Sequence, residues 1–268
     1  MKLLKNVARL VTIFVPGRER RKRARLKLEK ILHALLRTEY YRCSKWWEAI
    51  AAFNASLPRE KFHIISLGTN CFARMTLNLW KLKPRKAEGE LTMPFDLAVH
   101  PLSVVVDNLK NNFNSYFEYI EFSDEKGFFS NRAKGVNFVH DKENDFHLFE
   151  ERYQRRIADL KAAMTDDKPC LFVCHLLGDV RGEEADELYN VLQISCGHKK
   201  FKLLLAVFNG SVGKCNENIK VYTAKFPYEG YSYMDKNVKF TQAGYDFEEK
   251  FVLCCRGELL KLLEDENA

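Results

Sequence analysis

The sequence has no C-x-x-C pair, no G-x-G-x-x-G, no P-loop, and no apolar run of the roughly 20 residues a bilayer-spanning helix needs. Without the glycine fingerprints nothing calls for a nucleotide cofactor, and without zinc-type spacings nothing calls for a metal. Neither a cofactor nor a metal is expected. Eight cysteines are present (43, 71, 170, 174, 196, 215, 254 and 255), but adjacent Cys254 and Cys255 are poorly placed to bridge each other and the other spacings fit no disulfide framework. No small-residue cleavage site follows the first apolar segment, so these cysteines read as reduced cytosolic thiols, mostly in a core.

Basic charge is scarce outside one arm. The chain of 268 residues carries a net charge of +7, yet residues 1–30 hold eleven Lys or Arg against two Glu, so the other 238 come to −2. A nucleic-acid enzyme spreads its cations over a groove of the folded domain, and no nucleic-acid partner is expected here. Within the arm, Leu3, Leu4, Val7, Leu10, Val11, Phe14 and Val15 share a helical face. Pro16-Gly17 breaks that helix and RERRKRARLKLEK follows. An amphipathic helix beside a polybasic run is a two-part device for holding a protein on an anionic membrane, which predicts a cytoplasmic location peripheral to the inner membrane. A solvated basic helix packed on the domain is the bland alternative, and a nucleic-acid-binding arm is the third.

What is present in quantity is apolar: 46% hydrophobic and 13% aromatic residues, enough for one sizeable domain with additions. Residues 31–60 read as a helical extension and linker, with KWWEAIAAF a core-docking helix. Residues 61–268 read as an α/β domain. Phe62, Ile64, Ile65 and Leu67 form a short buried strand that Gly68 ends. Thr69 and Asn70 are good N-caps, and Phe72, Met75, Thr76, Leu79 and Trp80 follow helical spacing. Cys71 therefore falls at the start of a helix just past a strand. The helix dipole there contributes about 0.3–1 kcal/mol toward an anion, which lowers a thiol pKa of about 8.5 by less than one unit. A working nucleophile also needs a histidine beside it; otherwise Cys71 is a small core residue.

Further along, Pro94-Phe95-Asp96 marks a loop whose Asp96 either orients a base or caps the next helix, and His100-Pro101 caps a helix through Leu109. Residues 118–134 read as an irregular excursion and 135–141 as a strand ending in His140 and Asp141. The helix over 150–164 turns Tyr153, Ile157 and Leu160 inward. Its neighbours Arg155 and Arg156 diverge by about 100°, too far to clamp one anion unless the helix end approaches it. Strands CLFVCHLLGD, FKLLLAVFNG and NIKVYTAKF alternate with helices over 182–194 and 246–263. This order predicts a mostly parallel sheet with helices on both faces, a Rossmann-like or hydrolase-like three-layer α/β fold, plus N-terminal helices. Ligands bind such sheets beyond the carboxyl ends of the strands, where Gly68 to Cys71, His175 and Asn209 fall, and where His140 would join them.

SLGTNC before a helix, then PFD, FVHD and YQRRI ahead of the CLFV strand, together resemble a bacterial family of otherwise unassigned function catalogued as papain-like cysteine peptidases. The likeness covers about residues 62–210. It implies Cys71 as nucleophile, His140 as base, Asp96 or Asp141 as acidic partner, and Tyr153, Arg155 and Arg156 on the helix. The chain departs from the pattern at Leu97, where an aromatic is expected, and at His175, where Arg is expected; both positions would touch the substrate. IFVPGRERRKRAR is separately similar to the start of enzymes that assemble bacterial surface polysaccharides. Papain-like enzymes carry their histidine on a largely antiparallel sheet, unlike the parallel sheet read here. The resemblance implies a thiol-dependent hydrolase or acyl transferase near the membrane, with the N–H groups of the turn from Gly68 through Asn70 to Phe72 as oxyanion donors and a glycan or peptide as substrate. Two alternatives stay open. One is a glycan-modifying transferase in which Asp96, Arg155 and Arg156 bind donor phosphate and Cys71 is core. The other is a non-catalytic adaptor of a polysaccharide assembly complex.

Overall fold

The computed structural model describes residues 2–28, 31, 45–84, 88–234 and 242–264. The chain divides into two compact units, residues 1–52 with 227–249, and residues 53–226 with 250–268. Residues 32–44 of the expected helical extension lie outside the described residues.

In the first unit, helix α1 (Lys2–Val11) is followed by a turn and a second helical stretch, α2, over residues 18–28. Around the end of α1 the small side chains are inside and the large apolar ones outside: Ala8 and Thr12 are buried, whereas Leu10, Val11, Ile13 and Phe14 are 67%, 59%, 55% and 90% exposed. Helix α3 (Lys45–Ser56) runs out of this unit, and its Ile50 and Ala51 are buried.

The second unit is built on a parallel sheet of β1 (His63–Gly68), β5 (Cys170–Leu177), β6 (Phe201–Phe208) and β7 (Ile219–Ala224), in the order β1-β5-β6-β7. Between β1 and β5 come α4 (Phe72–Leu79), α5 (Leu102–Lys110), three short strands β2 (Glu121–Ser123), β3 (Phe128–Asn131) and β4 (Val136–Phe138), and α6 (Phe146–Thr165). Helix α7 (Gly182–Cys196) joins β5 to β6, and α8 (Gln242–Glu264) closes the chain. Because strand side chains alternate, Ile65, Leu67, Phe172, Cys174, Leu203 and Leu205 face one core with α5, α6 and α7. The opposite parity, including Phe208, meets Phe72 of α4 and Phe251 of α8. The fold is thus α/β with helices on both sheet faces, as the pattern of buried runs predicted.

The excursion over residues 118–134 is more regular than its sequence suggested. It holds β2 and β3, which pair antiparallel with each other, and β3 pairs antiparallel with β4 to complete a second, three-stranded sheet. The strand leading to His140 therefore belongs to this insert and not to the parallel sheet.

Candidate active site

Gly68 ends β1 at φ +108°, where a Cβ would meet the His175 carbonyl oxygen at 2.3 Å, so only glycine fits. The Thr69 N–H and hydroxyl then donate to that same carbonyl, at 3.0 and 3.1 Å. Asn70 Oδ1 accepts from the Phe72 N–H at 2.9 Å, and Cys71 takes the N-cap position of α4. Its thiol is 4% exposed.

His140 is placed by the insert. Val99 and Asn137 exchange backbone hydrogen bonds of 2.8 and 3.1 Å, which fixes the Pro94-Phe95-Asp96 loop to β4, and the Asp141 N–H closes a turn onto the Phe138 carbonyl. Phe138 packs against His100, Phe149 and Tyr153. The turn delivers His140 Nε2 to 3.6 Å from Cys71 Sγ, within hydrogen-bond reach for sulfur. Partial burial lowers the His140 pKa below its usual 6.5, with Asp141 pulling it back up and Lys142 and Arg156 adding to the fall. The imidazole is neutral at pH 7 and able to accept a proton.

No family model, curated protein or solved structure matches the chain.

Neither candidate carboxylate takes the orienting role. Asp96 is fully buried, pairs with the buried Arg74 guanidinium of α4 and accepts the Met93 N–H at 2.8 Å, so it neither holds the histidine nor caps α5. Asp141 follows His140 in the chain, but one oxygen accepts from Arg152 and the other from the Tyr153 hydroxyl at 2.9 Å, which turns the carboxylate toward α6. Among the described residues, neither Asp96 nor Asp141 joins the Cys71–His140 pair as a third member. Burial holds Tyr153 protonated far above its ordinary range.

His175 does not line a substrate site. It is 1% exposed and lies between Phe72 and Phe208 in the opposite layer; burial lowers its pKa to about 3, and neither ring nitrogen has a partner among the described residues. The alternation that puts Cys174 on one face puts its neighbour on the other. His100 is likewise buried, its Nε2 3.2 Å from the Tyr116 hydroxyl, and gives α5 no side-chain cap. Asn209 Oδ1 accepts the Phe226 N–H and serves the end of β6 instead of the thiol. The sheet order is monotonic, with no strand reversal to open a crevice, so the insert makes the site at edge strand β1.

Beside His140 lies a cleft of about 590 Å³ lined by Glu90, Leu91, Thr92, Leu97, His140, Asp141, Arg152, Arg155, Arg156 and Asp159. Arg155 and Arg156 both reach it, although they diverge on the helix. Arg152 explains this: counted from it, they stand at i+3 and i+4 and straddle the face that the cleft borders. Arg152 and Arg74 escaped the sequence reading; the i, i+4 spacing of Arg152 and Arg156 was the signal for the first. The turn makes a poorer oxyanion hole than expected, since the Thr69 and Phe72 N–H groups are already donating. Among the described residues no group of three or more His, Cys, Asp or Glu is placed to hold a metal ion, and no helix is long and apolar enough to cross a membrane.

Proposed function

We propose that this chain is a thiol-dependent hydrolase or acyl transferase, carried by one observation: Cys71 Sγ lies 3.6 Å from Nε2 of His140, a residue that lines a polar cleft. His140 Nε2 takes the thiol proton as sulfur bonds to the acyl carbonyl carbon. Collapse of the tetrahedral intermediate breaks the bond to the leaving group, to which the imidazolium returns the proton. The resulting thioester is then opened by water or an acceptor hydroxyl, with His140 again as base, and the thiol is restored. With its Oδ1 fixed by Phe72, Asn70 has its Nδ2 to offer the developing oxyanion. A glycan-modifying transferase would need Asp96 at the donor, and its burial against Arg74 weighs against that role.

The first unit supports a membrane-surface location. Exposed Leu10, Ile13 and Phe14 sit beside exposed Arg18, Arg20, Arg21, Lys22 and Arg23, apolar and cationic groups that suit an anionic bilayer. Such a location also fits a role in surface polysaccharide assembly.

p-Nitrophenyl acetate tests the chemistry. Cys71 should acetylate faster than the half-buried thiols Cys215 and Cys254, and His140→Gln should slow it. Equal labelling of the three would favour the transferase or adaptor reading.

A further inference from the structure

We infer that Arg156 is the recognition group for an oxyanion carried by the acyl substrate, so that the thiol acts on molecules bearing a carboxylate or phosphate near the reactive carbonyl. This rests on the Cys71–His140 reading. The cleft carries three arginines and three carboxylates, and most of these charges already have partners. Glu90 meets the buried Lys83 ammonium. Asp141 has Arg152 on one oxygen and Tyr153 on the other. Asp159 lies one turn from Arg155 and feels its charge.

Arg156 differs. Its side chain is 13% exposed, and its guanidinium carbon lies over the Tyr153 ring, 4.4 Å from the centroid, a cation–π contact that anchors it. Nη1 has no hydrogen-bond acceptor among the described residues, and its ion pair with Asp141 is a loose one, 3.8 Å from a carboxylate that Arg152 and Tyr153 already hold. A buried charged donor without an acceptor is costly, and a rigid guanidinium fork matches the two oxygens of a carboxylate or phosphate. His140 lines the same cleft, so a molecule held by Arg156 is held beside the base. Leu91 and Leu97, also in the lining, suit the uncharged part of such a molecule.

Maleimides give a test that needs no natural substrate. Cys71 alkylation would be followed by peptide mass spectrometry with neutral N-ethylmaleimide and with maleimides carrying a carboxylate on short, medium and long methylene arms. Each acid-to-neutral rate ratio is divided by that of a free thiol. The expected result is a ratio raised about tenfold for one arm length, as one charge-assisted pair gives. It should fall to the free-thiol value in Arg156→Gln and partway in Arg156→Lys, each variant's neutral rate serving as its own control. Competition by inorganic phosphate or by acetate tells which oxyanion the site prefers. A ratio of one at every arm length, a raised ratio that survives Arg156→Gln, or competition by neither anion overturns the inference. If the neutral maleimide also fails to label Cys71 above Cys215 and Cys254, the thiol reading falls and takes this one with it; failure of the anion preference alone leaves the thiol reading standing.

Discussion

Replacing His140 by Gln should slow Cys71 acetylation by an amount that depends on pH in a calculable way. A neutral imidazole 3.6 Å from the sulfur can take its proton during attack, so in the native protein the whole population of Cys71 is competent. Without the base only the ionised fraction reacts. For a thiol with an ordinary pKa of about 8.5 that fraction is ~3% at pH 7 and ~25% at pH 8. For such a thiol the native-to-variant rate ratio is about thirtyfold at pH 7 and about fourfold at pH 8, below the ~10²–10⁴ that general bases contribute where no residual nucleophile survives. On the acid side the native rate should fall as His140 protonates, with a midpoint below 6.5 because its pKa is lowered. The assay is the p-nitrophenolate burst, with the acetyl group located on the Cys71 peptide, from pH 5 to 9. A ratio under twofold at pH 7, or one that does not shrink toward pH 8, refutes the base role.

Asp96→Ala should leave the buried Arg74 charge without a partner and cost about 3–5 kcal/mol, on the order of 10 °C in Tm for a chain of this size. The pH midpoint of acetylation should stay put, and a shifted midpoint in the folded variant would mean that Asp96 acts on the imidazole after all. Residues 1–28 should carry the protein to vesicles of anionic lipid in flotation assays. Replacing Arg20, Arg21, Lys22 and Arg23 by Gln should weaken binding by a hundredfold or more, at about 1 kcal/mol per cation, and equal binding to neutral vesicles would sink the idea. At the amino-terminal edge of the sheet, burial raises the Asp166 pKa, but Lys199 and His63, each at 2.6 Å, overcome it and bring the pKa to about 2. Because the folded value lies below the unfolded one, this stabilisation is present above about pH 4 and is lost as pH falls toward 2. Asp166→Asn should therefore flatten the fall in urea midpoint between pH 4 and 2.5, and an unchanged slope would contradict the assignment.

The parallel sheet was legible because β5 and β6 are nearly continuous apolar runs, the mark of strands buried on both faces, and because Gly68 could only be a turn. Cys71 at the head of α4 followed from the N-cap residues beside it. The insert was not legible: β2, β3 and β4 are three or four residues long, too short for a period of two to show, and their aromatic residues fit irregular loop packing equally well. His175 was misplaced because position at a strand end gives height above the sheet but not the face. Counting parity from buried Cys174 would have sent its ring into the other layer. Asp96 was ambiguous for a related reason, since its partner Arg74 lies 22 residues away and nothing local announces a buried ion pair.

With Asp96 held by Arg74, and Asp141 by Arg152 and Tyr153, the tuning of His140 falls to the charges around it. Asp141 is turned toward α6 and attracts the imidazolium formed in each half-reaction through its charge, while Lys142 and Arg156 oppose that attraction. An anion seated on Arg156 cancels a positive charge that weakens His140, and the His140 pKa rises when such a substrate binds. Recognition and activation would then be one event, in which the molecule seated on the guanidinium also strengthens the base that deprotonates the attacking thiol. The acid limb of Cys71 alkylation should accordingly lie at higher pH with a carboxylate-bearing maleimide than with its neutral counterpart, and the separation should vanish in Arg156→Gln. Coincident limbs in the native protein would mean that the two groups, though they line one cleft, act without reference to each other.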